Sequence, residues 1–182
     1  ALAAVFKAYD LRGLVPQQVD DDLARAAGGA FVVVTGAVAD GIVVGHDMRP
    51  SSPGIARAFA EGAAAAGADV TMIGLASTDQ LYFASGHLGH PGVMVTASHN
   101  PAQYNGIKMC RANAVAIGQQ TGLTEIRDLA GRYLDDGIKL DLRARATTLS
   151  GAQSQNGAPQ YGVKFDLGGT YHGAQNANQA RS

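Results

Sequence analysis

A strand–helix–strand unit in the first half of the chain restricts the fold more than any other feature. Gly41-Ile42-Val43-Val44-Gly45 is a short apolar run of strand length. Ser51-Ser52-Pro53 then predicts a helix start, with serine as N-cap and proline at the first helical position. Ile55, Phe59 and Ala63 repeat at four-residue steps and make the inner face of that helix, and Gly67 is its expected stop. A second apolar run, Ala68 to Ile73, follows at once. Two strands joined through a helix by short connections imply a parallel pair with a right-handed crossover.

The neighbouring segments extend this unit into an α/β domain. Leu23, Ala26, Ala27, Ala30, Phe31 and Val34 recur at three- and four-residue steps, so Val19 to Val34 reads as a helix. Asp20 to Asp22 open it, where the helix dipole favours negative charge. Thr78 is the expected cap of a third helix running to Gly86. Pro91-Gly92 punctuates before a strand from Val93 to Thr96. A further strand over Gly106 to Cys110 and a helix over Gly122 to Tyr133 follow. The expected fold class is α/β: three layers, α/β/α, around a mixed, mainly parallel sheet.

The texture changes after about Arg145. Residues 147–159 are mostly Gly, Ala, Ser, Gln and Asn, with hardly a large apolar side chain to bury. Tyr161 to Leu167 is briefly strand-like, and Gln175 to Ser182 is polar again. The expected organisation is one domain over residues 1–145, then a linker and the possible start of a second unit over 146–182. No internal repeat is visible.

Composition narrows the function classes. The chain has 182 residues, 46% of them hydrophobic, which suits a folded domain. Fourteen basic residues against fifteen acidic ones leave no electrostatic footprint for nucleic acid and no basic cluster for a membrane surface. No apolar run approaches the roughly 20 residues of a membrane helix. Ala1 to Phe6 is too short an apolar stretch before Lys7 for a signal peptide. The single cysteine, Cys110, excludes an intrachain disulfide and suits a reducing compartment, so a cytoplasmic location is expected.

Four runs carry candidate chemistry. In Val93–Pro101 a buried-looking strand runs into Thr96-Ala97-Ser98-His99-Asn100-Pro101. Ser98 then sits at the carboxyl end of a strand, where ligands collect in open α/β sheets. Ser98 and Asn100 are also ordinary turn-formers, and both readings stand. A hydrolase elbow needs glycine two residues either side of the serine, and Thr96 and Asn100 occupy those places. His99 beside Ser98 is not automatically a base, because neighbours on an extended backbone point to opposite faces. Lys108, in Asn105-Gly106-Ile107-Lys108, either returns to the same pocket or is a solvated surface lysine. Tyr9-Asp10-Leu11-Arg12-Gly13 lies outside any periodic element. It reads as a phosphate-gripping arginine or as a salt-bridged loop. Gly45-His46-Asp47-Met48-Arg49-Pro50-Ser51 precedes a helix N-terminus and is a candidate anion site. A structural loop in which Asp47 pairs with Arg49 is the favoured reading. His87 and His90 lack further ligands at zinc-like spacing, and no Walker or dinucleotide fingerprint is present.

In this order, the four runs resemble the α-D-phosphohexomutases, most closely the bacterial phosphomannomutase/phosphoglucomutase branch. Thr96-Ala97-Ser98-His99-Asn100-Pro101 is the most specific of them, and the similarity spans about residues 5 to 135, the family's first domain. The resemblance implies an enzyme, an intramolecular phosphotransferase interconverting hexose 6-phosphate and hexose 1-phosphate of mannose, glucose or both. It implies that Ser98 carries the phosphoryl group, that its phosphate is a ligand of Mg²⁺, and that His99 stands beside it. Arg12 and Lys108 match residues near the reacting hydroxyl, as candidate acid/base groups and charge stabilisers. Tyr9 matches a residue at the substrate site, as do Arg12 and Ser98. A bisphosphorylated hexose is the implied intermediate and activator, and a sugar phosphate the implied small-molecule partner.

The chain also departs from that pattern. The family's second domain supplies an Asp-Gly-Asp-x-Asp-Arg loop for Mg²⁺, its third reads the sugar hydroxyls, and its fourth grips the distal phosphate. These motifs are not in the 182 residues, although Val163-Lys164-Phe165-Asp166 with His172-Gly173 faintly resembles the opening of the second domain. The expectation is that this chain does not turn over substrate alone. A stand-alone, non-catalytic phosphosugar-binding domain and a phosphoglucosamine mutase remain the alternatives.

Overall fold

The structure is a computed structural model, and it describes residues 2–38, 40–137, 162–165 and 169–172. Successive βα units build it. Strand β1 (Asp10–Leu14) leads to helix α1 (Asp21–Thr35), and β2 (Gly41–His46) to α2 (Ser52–Ala65). Strand β3 (Asp69–Leu75) leads to α3 (Thr78–Leu88), and β4 (Gly92–Val95) is followed by the long β5 (Tyr104–Arg111). A two-residue β6 (Val115–Ala116) and helix α4 (Leu123–Asp136) come next, and β7 (Gly162–Phe165) and β8 (Gly169–His172) close the described chain.

All strands join one sheet in the order β1-β5-β4-β2-β3-β7-β8, with β6 on β5. β2 pairs in parallel with both β3 and β4, which is the predicted crossover unit. β5 is antiparallel to β4 and to β1, so β1, β4, β2, β3 and β7 all run one way. The sheet is mixed, with its parallel strands at the centre, as the sequence pattern leads one to expect.

Side chains alternate between two helical layers. Ile42, Val44, Val70, Val93, Val95 and Ile107 face α1, α2 and α4 in the larger core. Val43 and Met94, on the opposite face, pack on Leu81 of α3. Phe31 and Phe59 meet between α1 and α2 at 5.7 Å between ring centroids, tilted by 59°. These two helices also touch backbone to backbone. A Cβ on Gly62 would lie 1.8 Å from the carbonyl oxygen of Arg25.

Some expected details differ. Tyr9–Gly13 is not outside the regular structure, because Asp10–Leu14 forms β1, held by its register on β5. Ser51 is the N-cap of α2 but makes no side-chain cap, and Pro53 is the second helical residue instead of the first. The Ser51 hydroxyl is engaged elsewhere, accepting from Asn105 Nδ2 at 2.8 Å. The cap of α3 is Ser77 in place of Thr78, in a reciprocal capping box with Gln80. Asp20 caps α1 as the acidic start suggested, accepting from the Leu23 amide at 2.8 Å. The strand-like reading of Tyr161–Leu167 has Gly162–Phe165 in strand, parallel to β3. The other residues of 138–182, apart from β7 and β8, lie outside the described residues.

Candidate functional site around Ser98

β4 is buried along its length, and Thr96 and Ala97 remain buried beyond it. The chain then surfaces at Ser98 in a left-handed conformation, φ 55°. A non-glycine residue in that region costs on the order of 1–3 kcal/mol and persists where its surroundings over-determine it. The surroundings here do so. The Ser98 amide donates to Thr96 Oγ1 at 2.9 Å, and the Asn100 amide to the Ala97 carbonyl at 3.1 Å. The serine is delivered, exposed, to the carboxyl end of the central sheet.

A polar frame stands behind this loop. Asp47, just past β2, accepts from the Ser52 hydroxyl at 2.5 Å, the Thr96 hydroxyl at 2.8 Å and the Arg49 amide at 3.0 Å. Burial pushes the Asp47 carboxyl up. The hydrogen bonds from Ser52, the Arg49 amide and Thr96, with the charge of Arg49, outweigh that and hold it below the ordinary carboxylate value. Asn105, fully buried at the start of β5, donates to the hydroxyls of Ser51 and Ser52 and accepts from the Gly106 amide. Arg49 pairs with Asp47 Oδ2 at 3.3 Å, the structural pairing expected from the sequence. It also reaches across to the serine loop, donating to the carbonyls of Ser98, Asn100, Pro101 and Tyr104.

The pairing of β1 with β5 brings Arg12 and Lys108 to the same sheet face. In the β1–β5 register, Asp10 lies opposite Lys108 and Arg12 opposite Gly106. Directly opposed residues share a face, and so do residues two apart on one strand. Gly106 is needed here, because a Cβ there would lie 2.5 Å from the Leu11 carbonyl and 3.0 Å from that of Thr96. Arg12 pairs with Asp10 and approaches Asn100 Oδ1 with Nη1 at 3.4 Å. Its Nε is buried without a partner. Asp10, the carboxylate opposite Lys108, is thus engaged by Arg12, and Lys108 is half-buried with no hydrogen bond or ion pair among the described residues.

The other two expected residues fall differently. The extended-chain argument separates His99 from Ser98, and the structure overturns that argument: the left-handed turn swings them together, with Ser98 Oγ 3.4 Å from His99 Nδ1. Tyr9 is 74% exposed, ahead of β1, with its ring beside Gly118, and it makes no hydrogen bond to the serine cluster. Asn100 does not serve as a self-bonding turn-former, since its side chain meets Arg12. Sequence reasoning missed Thr96, Ser52 and Asn105 as the frame. The adjacency of Asn105 to Gly106, and of Asp47 to Arg49, was the available signal. His87 stacks on Phe83, and His90 approaches Asp40 at 3.6 Å.

Among the described residues, no group of three or more His, Cys, Asp or Glu stands close enough to hold a metal ion. These residues alone therefore do not fit the expected Mg²⁺. No helix among them is long and apolar enough to cross a membrane.

Residues 3–134 match the family described as "Phosphoglucomutase/phosphomannomutase, alpha/beta/alpha domain I". The chain belongs to the phosphoglucomutase/phosphomannomutase family. That span contains all four motif runs of this domain I, and its α/β/α layering is the one described above. A protein named "Phosphohexose mutases" in Xanthomonas campestris pv. campestris (strain B100) is 47% identical over 125 residues, 68% of this chain and 27% of that protein. A Klebsiella pneumoniae phosphomannomutase is 45% identical over 128 residues, covering 69% of this chain and 79% of the relative. A phosphoglucomutase/phosphomannomutase family structure from Burkholderia thailandensis superposes with a TM-score of 0.64 at 35% identity, over 75% of this chain and 31% of the other. The chain thus spans about a quarter of the length of its Xanthomonas relative.

Proposed function

We propose that this chain is the phosphoserine domain of a phosphohexomutase, an intramolecular phosphotransferase acting on hexose 6- and 1-phosphates of mannose, glucose or both. The observation that carries the reading is the setting of Ser98. It is an exposed hydroxyl in a strained, fully braced turn, with Arg12 carrying an orphaned Nε two strands away and Lys108 unpaired on the Arg12 face. Phosphoserine adds about −1.5 to −2 charge and three acceptor oxygens, so its pocket needs donors not already engaged. Arg12 Nε and Lys108 Nζ are such donors.

The reaction consists of two transfers. The bond between phosphorus and Ser98 Oγ breaks as phosphorus bonds to a free hydroxyl oxygen of the sugar monophosphate. Lys108 enters as the neutral amine and takes the hydroxyl proton, the freed Ser98 Oγ picks up a proton from water, and Arg12 stabilises the charge on the moving group. The resulting hexose bisphosphate turns over in the cleft and returns its other phosphoryl group to Ser98, which regenerates the enzyme. His99 and Tyr9 contact the phosphoserine and the sugar in this reading. A Mg²⁺ ion bound at the phosphate of Ser98 would supply Lewis-acid charge stabilisation, and the described residues alone do not complete its ligand set. A near-neutral net charge and a buried free Cys110 fit a cytoplasmic enzyme whose partner is a sugar phosphate, not nucleic acid or a membrane.

The test is a coupled mutase assay on the full-length protein, with Ser98→Ala beside it. Turnover that disappears in the variant supports the role, and turnover undiminished by the change defeats it. A native intact mass well above 18.6 kDa separates this reading from a stand-alone binding domain of the same sequence.

A further inference from the structure

Arg49 has five N–H donors on its guanidinium, and the structure commits the four on Nη1 and Nη2 to hydrogen bonds. Nη1 donates to the carbonyls of Pro101 at 2.9 Å and Tyr104 at 3.0 Å. Nη2 donates to those of Ser98 at 2.9 Å and Asn100 at 2.7 Å. Nε meets Asp47 Oδ2 at 3.3 Å. An arginine that grips phosphate needs open donors, as Arg12 has at Nε. The two Nη groups of Arg49 have none, and its charge is matched by Asp47.

Its partners are also informative. Residues 98–104 lie outside the β4–β5 ladder, and their backbone bonds are few: Asn100 to Ala97, Tyr104 to Pro101, Val15 to the Gln103 carbonyl, and the pairing of Tyr104 with Leu14 of β1. Four of their seven carbonyls converge on the one guanidinium. Asp47 ties that guanidinium to Thr96 and Ser52, and through Ser52 to the buried Asn105 on β5. The frame therefore grips the loop at both ends by its main chain and makes no bond to Ser98 Oγ, which meets His99 Nδ1.

We propose that Arg49 is a positioning residue for phosphoryl transfer, holding the main chain of residues 98–104 in one shape whether or not Ser98 carries phosphate. The proposal rests on the phosphoserine reading of Ser98. A loop held by its carbonyls does not have to refold when a phosphate is added to, or leaves, the side chain. Lysine does not replace this arginine, because a single ammonium cannot span four carbonyls.

Two measurements on the full-length protein test it. The first is steady-state kinetics of Arg49→Lys and Arg49→Ala. We expect kcat to fall about 100-fold, the effect of roughly 1 Å of misplacement at a reacting group. KM for the hexose phosphate should change less than threefold, with added guanidinium ion restoring part of the Arg49→Ala rate and lysine giving no rescue. A normal kcat in Arg49→Lys, or a raised KM with kcat unchanged, overturns the proposal. The second is hydrogen exchange of the 97–105 peptide in the wild-type protein, phosphorylated and dephosphorylated, which needs no variant to fold. Equal protection in the two forms is expected, and a tenfold difference overturns it. If the wild type shows neither turnover nor phosphate on Ser98, the functional reading fails by itself. The exchange of Arg49→Lys against wild type then decides the role of Arg49: faster exchange in the variant supports it and equal exchange overturns it.

Discussion

Asp47 shows how one residue links the stability of the fold to the site. It is a mostly buried carboxylate with three hydrogen-bond donors and one arginine, and its acidity is held below the ordinary value. A depressed folded-state pKa stabilises the protein above the unfolded value, and that stability is lost as pH falls through the folded one. Asp47→Asn keeps the shape but turns an amide group toward donors. It should lower unfolding free energy by about 2 kcal/mol near neutral pH, the scale of hydrogen bonds to a charged group. Urea unfolding should find the gap between wild type and variant constant from about pH 5 to 8 and shrinking below about pH 4, where an ordinary aspartate titrates. A gap that holds unchanged to pH 2.5 would place the stabilisation elsewhere. Lys108 carries the complementary prediction for chemistry. With no side-chain partner it contributes little to the fold, so Lys108→Ala should melt within about 2 °C of wild type, the scale of a surface substitution. Its kcat should fall by about 10²- to 10⁴-fold, the range for loss of a proton-transferring group. A variant that loses stability but keeps its rate would make Lys108 structural.

At the scale of elements, the contact between α1 and α2 is the tightest glycine packing among the described residues. Gly62 faces the Arg25 carbonyl so closely that a methyl group would lie 1.8 Å from it, and Gly28 faces Phe59 O at 2.1 Å. Gly62→Ala must push the helices apart, at a cost of about 1–3 kcal/mol or more. Gly54, on the same helix, meets nothing within 4 Å, so Gly54→Ala should stabilise by about 0.5–1 kcal/mol through helix propensity alone. Thermal melts of the two variants should therefore move in opposite directions, and a shift of both the same way would refute the packing account. The helices themselves were readable in advance. Leu23, Ala26, Ala27, Ala30 and Phe31 bury one stripe of α1, and a stripe is what periodicity reports. β1 was not readable, because Asp10 and Arg12 face the site and only Leu11 of that strand enters the core with a large side chain. A strand whose outward face is charged carries no apolar alternation. Likewise Ser98, Arg12 and Lys108 could be singled out from their runs. The role of Arg49 depends on carbonyls some fifty positions away, which no local pattern encodes.

At the scale of the whole molecule, the division of labour is set by where donors are left open. This domain presents a braced serine, Arg12 and Lys108, and among its described residues no metal-binding cluster forms. It spans 27% of the Xanthomonas relative's length. Holding a sugar bisphosphate while it turns requires contacts to the sugar hydroxyls and to the distal phosphate, and one side of a cleft does not supply both. The 182-residue chain alone should therefore give no mutase turnover above the Ser98→Ala background in a coupled assay, while the full-length protein does. The fold should nonetheless survive isolation, because its two cores close within residues 2–137. A cooperative melt without turnover is the expected pair of results. Turnover by the isolated chain would mean that the specificity contacts lie within these residues, and the assignment of open donors to phosphate alone would then be wrong.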